Sequence, residues 1–512
     1  MSDTGFPVEN KPKKRKVPLS WVWVASLALL SAVFAFASVP GVIAQVRDGA
    51  AVASGQREAE NIQRNRRYAA ILQQVFDFIQ RNYVDEVDPR VIFEGAMTGI
   101  FEALGDPYSA FLPESEMRGL NDTTQGTFGG VGLFISQPAR SGPPYVEVSS
   151  PIEGTPGWRA GINPGDLIIS IDGEPTDRLT MDEVLSRLRG HPGTDVNLII
   201  RRGERLEFPV TLTRAIIEVP TVRHAMIGDI GYLNLTTFTP MTANRAAEAI
   251  AYFRANNYQG LILDLRNNFG GLLNAAIDVA SLFLDGGVVV RTRSRIQSEN
   301  QVFMTRRPAV VAQDIPVIVL INRGSASASE IVAGALKDRG RALLVGETTF
   351  GKGSVQQVYP LGNAGFRLTT ARYVTPNNAV IDGIGIPPDR MVRLPDFTEA
   401  EAGELNRLIN DNRIPVFVRN NPNATTAQRD AFARTLVAEY ALDITLIRRL
   451  VRNEQNRATG NVIPDPEYDI QLQEAVNILR SGDFQYLLQS AKTLQALQEE
   501  LLRVREEEAA AS

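Results

Sequence analysis

The run Ile315-Pro316-Val317-Ile318-Val319-Leu320-Ile321 constrains this chain more than any other feature, because a serine-rich turn and then a helix come directly after it. A short apolar run bounded by turn residues reads as a buried strand. The next residues, Asn322-Arg323-Gly324-Ser325-Ala326-Ser327-Ala328-Ser329-Glu330, are mostly small, and Ile331-Val332-Ala333-Gly334-Ala335-Leu336 then opens the helix. A serine in such a strand-to-helix turn carries an uncrowded hydroxyl beside free helix N–H groups that can hold an anion. Further on, Gly351 and Gly353 frame Lys352. Serine and lysine, in a chain holding only His191 and His224, suggest a Ser–Lys hydrolase.

The strand-turn-helix unit is not isolated. Gly231–Leu235 reads as a strand, Thr242–Asn256 as a helix, Gly260–Leu265 as a buried strand and Leu272–Leu284 as a helix, with Phe366–Tyr373 a further strand. Such alternation over 215–392 predicts an α/β core with its site at the C-terminal ends of the strands. Residues 47–124 read as helical, with helices over Arg57–Arg81 and Val91–Leu104, and 393–512 turn helical again. Phe484–Val504 carries Leu487, Ala491, Leu494, Leu497, Leu501 and Val504 at three- and four-residue steps, the stripe of a helix that either seams with a partner helix or packs on its own domain.

Residues 125–214 have another texture, short β-like runs between glycines and prolines. Val131–Ile135, Tyr145–Val148, Leu167–Ile171, Val196–Arg201 and Leu206–Leu212 are the strands expected there, and Met181–Leu188 a helix. The order of turns and strands resembles a PDZ domain, with Gly130-Val131-Gly132-Leu133 as the loop leading into a strand. Successive N–H groups in such a loop can hold a peptide's terminal carboxylate while the strand edge pairs with its backbone.

Composition closes off other classes. A formal net charge of -5 gives no reason to expect nucleic-acid binding, and the absence of cysteine excludes disulfides, thiol nucleophiles and cysteine-ligated metals. His191 lies in a turn sequence and His224 in a strand or linker, and neither has a catalytic motif around it. No metal or other cofactor is expected.

At the N-terminus, Lys11, Lys13, Lys14, Arg15 and Lys16 form a basic cytoplasmic tail over 1–18, and behind it lies an apolar stretch with its core at Trp21–Ala37. A membrane span needs about 20 apolar residues, and flanking basic residues stay cytoplasmic. Residues 19–46 are therefore read as a transmembrane anchor, which places the chain after Arg47 on the periplasmic or extracellular side. The rival is a signal cleaved at Ala35-Phe36-Ala37, giving a secreted form.

A serine hydroxyl needs a neighbouring base, and a lysine serves only where burial removes its proton. Chemistry alone leaves Ser325, Ser327 and Ser329 in competition. An acyl-transfer site also needs N–H donors for the oxyanion, for which the turn Asn268-Phe269-Gly270-Gly271 and the N–H of Ala328 are the candidates.

Together, the PDZ-like module, Asp264-Leu265-Arg266-Asn267-Asn268-Phe269-Gly270-Gly271, Gly324-Ser325-Ala326-Ser327-Ala328-Ser329-Glu330 and Phe350-Gly351-Lys352-Gly353 resemble the carboxyl-terminal processing, or tail-specific, proteases. The resemblance runs from about Asn82 to Asp389 and includes Leu104-Gly105-Asp106-Pro107-Tyr108-Ser109. It implies a crotonase-like α/β core with an inserted PDZ domain. It also implies Ser327 as nucleophile, Lys352 as base and Gln356 as the residue orienting that base. Arg189 resembles a PDZ residue that helps align the active site. The implied substrates are protein chains with free C-terminal tails, held by Gly130, Val131, Gly132 and Leu133 and cut near their ends. Phe269 departs from the family pattern, which has proline there. A homodimer is the assembly to be tested, and a catalytically silent tail-binding scaffold is the rival function.

Overall fold

The computed structural model describes residues 40–114, 116–117, 126–137, 144–394, 397–459 and 464–511. The described residues fall into two compact units, divided between Met97 and Thr98. In the first, helix α1 covers Pro40–Asn82, and α2, Pro89–Glu102, begins. The expected anchor at Trp21–Ala37 lies outside the described residues. Among the described residues no helix is long and apolar enough to cross a membrane.

The second unit opens with strand β1, Ala110–Leu112, in a region read from sequence as wholly helical. Three residues are too few for periodicity to register, and β1 owes its conformation to pairing with a distant strand, Phe111 opposite Phe366. Next come β2 (Thr127–Gly130), β3 (Leu133–Ser136), β4 (Val146–Pro151), β5 (Leu167–Ile171) and β6 (Glu174–Pro175). Helix α3, Met181–Leu188, comes after them. It begins at Thr180, whose hydroxyl and backbone pair reciprocally with Glu183 in a capping box. Strands β7 (Asp195–Arg202), β8 (Leu206–Thr213) and β9 (Ala215–Glu218) complete this part. Strands β3 to β8 form a six-stranded antiparallel sheet with β3 at its edge, around a core of Val148, Ile168, Ile171, Val184, Val196 and Ile200. Strands β2 and β9 pair with each other as a separate ribbon.

The α/β core contains β10 (Val222–Ile227), β11 (Ile230–Leu235), α4 (Thr242–Ala255), β12 (Gly260–Asp264) and α5 (Leu273–Ala280). It continues through β13 (Val288–Arg293), β14 (Val302–Met304), β15 (Val317–Ile321), α6 (Ala328–Asp338) and β16 (Leu343–Gly346). Strands β17 (Ser354–Leu361), β18 (Ala364–Val374) and β19 (Arg390–Met391) end it. The main sheet runs β10-β11-β12-β15-β16-β19, antiparallel only at the first pair. Both faces of its central strands are covered, which explains their unbroken apolar runs. Leu261, Leu263, Val317, Val319 and Ile321 face one core with the α4, α5 and α6 helices. Ile262, Ile318 and Leu320 face another. A second sheet, β1-β18-β13-β14 with β17 on β18, stands beside it.

The C-terminal part is helical: α7 (Glu399–Asn410), α8 (Arg413–Asn420), α9 (Thr426–Glu439), α10 (Ile444–Thr459), α11 (Ile470–Ser481), α12 (Phe484–Ser490) and α13 (Leu494–Ala511). Helices α7 to α10 have their own core around Leu436, Tyr440 and Ile447, whereas Leu472 and Val476 of α11 close the second face of the main sheet. The single helix read over Phe484–Val504 is two. The chain breaks between Ser490 and Leu494, with Ala491 extended, because Leu494 turns into the main core while Leu487 packs on the other face.

Candidate active site

Three neighbouring parallel strands, β12, β15 and β16, end at the same side of the sheet, and each runs into a turn. The first turn begins after Asp264. Arg266 is fixed there by Asp264 Oδ2 at 2.6 Å and Asp469 Oδ2 at 2.7 Å, both partners largely buried. Asn268 donates through Nδ2 to Leu235 O, and its own carbonyl accepts from Ala326 N at 3.0 Å and Ser329 Oγ at 2.8 Å. The first turn is thus riveted to the second.

In the second turn the three serines separate. Ser325 Oγ donates to Leu265 O at 2.8 Å and also accepts from Asn322 N, and Ser329 Oγ donates to Asn268 O. Both are fully buried. Ser327, at the N-cap of α6, has φ 54° and ψ -110°, a conformation that costs a non-glycine residue energy and persists only where surroundings enforce it. Its side chain lines a cavity of about 530 Å³ together with Lys352 and Gln356.

The Ser327 turn is enforced by Glu330, a residue to which the sequence motifs assigned no role. Its carboxylate is fully buried and accepts from Ser327 N at 2.8 Å, Gly351 N at 2.7 Å, Lys352 N at 2.9 Å and Thr349 Oγ1 at 2.5 Å. One side chain therefore holds the serine turn and the lysine turn together. Burial pushes its pKa up, and the four donors oppose that by favouring the anion. The signal was visible in outline, since glutamate three residues after Ser327 occupies the capping-box position. Its second partner, the Thr349–Lys352 turn, was not.

Lys352 is half-buried, with Nζ above the Tyr108 ring at 4.8 Å from the centroid. Burial and then the Arg367 guanidinium push its pKa below the ordinary lysine value, while Asp106 and Glu330 push the other way. No hydrogen bond joins Lys352 Nζ to Ser327 Oγ among the described residues. The Gly351–Gly353 framing has a steric reason at Gly353, where a Cβ would lie 2.3 Å from Asp382 N. Gln356 Nε2 donates to Thr369 Oγ1 at 2.8 Å, and Thr369 Oγ1 donates to Asp106 Oδ2 at 2.6 Å. Ser109 Oγ shares that carboxylate. Burial alone would push the Asp106 carboxyl up; hydrogen bonds from Ser109, Thr369 and Tyr108 outweigh it and hold the pKa below the usual value. Asp106 and Thr369, both unassigned from sequence, thus brace Gln356.

Of the oxyanion candidates, Gly270 is corrected: its N–H donates to Asn268 Oδ1 at 2.9 Å. Its φ of 105° and lack of a side chain instead let the backbone pass Ser327, since a Cβ would lie 2.9 Å from both Ala328 N and Ser327 Cβ. The N–H groups of Gly271 and Ala328 make no hydrogen bond among the described residues. Phe269, 77% exposed, stands at the cavity rim.

In the PDZ-like part, Val131, Gly132 and Leu133 line a groove of about 260 Å³ with Phe128, Leu185 and Leu188. It lies between the edge strand β3 and helix α3, the geometry that admits one more strand. Gly130 adjoins it at β2, packed on the Phe128 ring. Arg189 stacks on Phe128 at 4.8 Å. His191 is exposed in a loop, and His224 packs against Tyr252 and Phe253 on β10; neither lines the cavity.

Residues 229–392 match the profile of peptidase family S41, 147–202 that of the PDZ domain, and 30–115 that of the activating protease CtpB N-terminal domain. The carboxy-terminal-processing protease of Bartonella bacilliformis is 40% identical over 327 residues, 63% of this chain and 74% of that one. The chain belongs to the carboxy-terminal processing proteases. This protease is also 39% identical, over 60% of its length, to 72% of the corresponding enzyme of Synechocystis. Among solved structures, a photosystem II D1 C-terminal processing protease is 31% identical, with 62% of this chain and 91% of that chain covered and a TM-score of 0.37. The protease is therefore a serine peptidase of the S41 family with a PDZ domain. The silent-scaffold reading falls.

Proposed function

We propose that this protease cuts its substrates with a Ser327–Lys352 dyad. The observation that carries the reading is the fate of the three hydroxyls: those of Ser325 and Ser329 are spent on backbone carbonyls, while Ser327 opens on the cavity lined by Lys352. Neutral Lys352 takes the proton of Ser327 Oγ as it attacks the scissile carbonyl. The N–H groups of Gly271 and Ala328 receive the oxyanion. Lys352 then returns the proton to the leaving amine, and water resolves the acyl-enzyme by the same route. Gln356, braced by Thr369 and Asp106, fixes the direction of approach to Lys352. Because Nζ rests over Tyr108, engagement of the dyad is a step of the cycle. The oxyanion turn beside a parallel sheet also supports the crotonase-like reading of the core.

The deciding experiment compares Ser327→Ala with Ser325→Ala and Ser329→Ala in a peptide-cleavage assay. Only Ser327→Ala should abolish turnover in protein that still folds, and full activity in it would sink the assignment.

For location, we propose that the apolar segment Trp21–Ala37, behind its basic tail, anchors the protease with its catalytic part outside the cytoplasmic membrane. The sequence of charges supports this. Release of the full-length chain from membranes by alkaline carbonate would overturn it.

A further inference from the structure

Two polar groups in the catalytic cavity have no partner. Ser354, 5% exposed, has its Oγ buried without a hydrogen bond, and so has Arg367 Nε. Arg367 makes no ion pair among the described residues, although a guanidinium is always charged. The nearby carboxylates are otherwise engaged. Asp106 accepts from Ser109, Thr369 and Tyr108 N, and Glu330 from four donors. Glu299 lines the same cavity and accepts from Gln357 Nε2 at 2.8 Å. The cavity wall is mixed, with Val355, Ala371, Tyr373 and Phe303 beside Thr292, Gln301 and Gln357.

We infer that Arg367 forms a carboxylate-binding subsite within the catalytic cavity, which seats an acidic group of the substrate close to the scissile bond. A carboxylate beside the guanidinium supplies the counter-charge that Arg367 lacks among the described residues. Leaving such groups unmatched in a buried site is costly, so substrates that lack the acid bind less well. The inference rests on this cavity being the catalytic one. The acid is either a Glu or Asp side chain or the terminal carboxylate of a short tail.

The test is a single-position Glu-for-Gln scan of an amidated peptide over the residues flanking the cleavage point, with the purified full chain. A parallel pair of short peptides ending just past the cleavage point, one acid and one amide, reports on a terminal carboxylate. At one position in either arm the acidic form should be cut with roughly tenfold higher kcat/KM, the size of a charge-assisted hydrogen bond. In Arg367→Gln that ratio should fall to about one. Because each ratio is taken within one variant, a general loss of activity does not imitate the result. A flat scan in the unmodified protease overturns the subsite, as does a preference that survives Arg367→Gln. Unimpaired cleavage by Ser327→Ala would instead overturn the dyad; a flat scan with inactive Ser327→Ala removes the subsite alone.

Discussion

At the scale of single residues, the proposed dyad turns on keeping Lys352 neutral. A lysine base works only after losing its proton, so kcat/KM should rise with pH through its pKa. Burial and Arg367 lower that pKa from 10.5, which places the limb below the ordinary lysine range. Its neighbours give opposite signs. Arg367→Gln removes a cation and should move the limb to higher pH, whereas Asp106→Asn removes an anion and should move it lower. Lys352→Arg should be inactive, because a guanidinium keeps its proton. Equal limbs in the parent, Arg367→Gln and Asp106→Asn enzymes would detach the profile from Lys352. Glu330 is a different case, because it touches no substrate and holds both turns through three backbone N–H groups. Glu330→Gln presents an NH₂ group to some of those donors, so a loss of kcat of about 10²-fold or more is expected, on the scale of two lost charge-assisted hydrogen bonds. KM should change little. The family motifs put Ser327, Lys352 and Gln356 forward in the sequence, and the structure brings all three to one cavity. Glu330's link to Gly351, and the Gln356-Thr369-Asp106 chain, were not legible, since their partners lie 21 and up to 263 positions apart.

At the scale of elements, periodicity identified those whose burial is one-sided or complete. Leu167–Ile171 and Met181–Leu188 fall where the pattern put them, and the fully buried strands β12 and β15 betray themselves by continuous apolar runs. Among the elements that escaped were β1, β9 and β19, short strands defined by their pairing partners, the longer β10, β13 and β17, whose half-exposed faces carry no continuous apolar run, and the division of the last helical stripe into α12 and α13. The α11 helix belongs to the site as well as to the core, because Asp469 at its N-cap grips Arg266 in the first catalytic turn. Burial pushes the Asp469 carboxyl up, but Arg266 more than compensates and holds its pKa below the ordinary value. Its contribution to stability is therefore complete above the unfolded carboxyl range and is lost as pH falls through the lowered folded value. Asp469→Ala should cost about 3 kcal/mol at neutral pH, the lower end for breaking a buried pair, since Asp264 still serves Arg266. The difference between this variant and the parent should shrink in acid. Denaturant unfolding at both pH values measures it, and a constant difference would mean that the loss is packing rather than charge.

At the scale of the whole molecule, reading a tail and cutting it are done by different parts. The groove lies between β3 and α3, and the cavity lies at the ends of β12, β15 and β16. The chain passes from one part to the other through the β2–β9 ribbon, Thr127 opposite Glu218, and Val219 at its end lines the groove. A substrate long enough to reach both should gain from both, whereas on the proposed mechanism a small activated ester needs only Ser327, Lys352 and the oxyanion N–H groups. Leu185→Lys puts a charge into the apolar groove from a half-buried position on α3, without opening the PDZ core around Val184. It should lower kcat/KM for a tailed protein by roughly tenfold or more, as expected for a charge in an apolar subsite. Ester hydrolysis should stay unchanged. Amidating the C-terminus of the same substrate should weaken its capture by the unmodified protease, because the loop N–H groups then face a neutral acceptor. In Leu185→Lys, where capture is already lost, amidation should matter little. If amidation and Leu185→Lys instead reduce cleavage independently, by factors that multiply, the terminal carboxylate is read outside this groove.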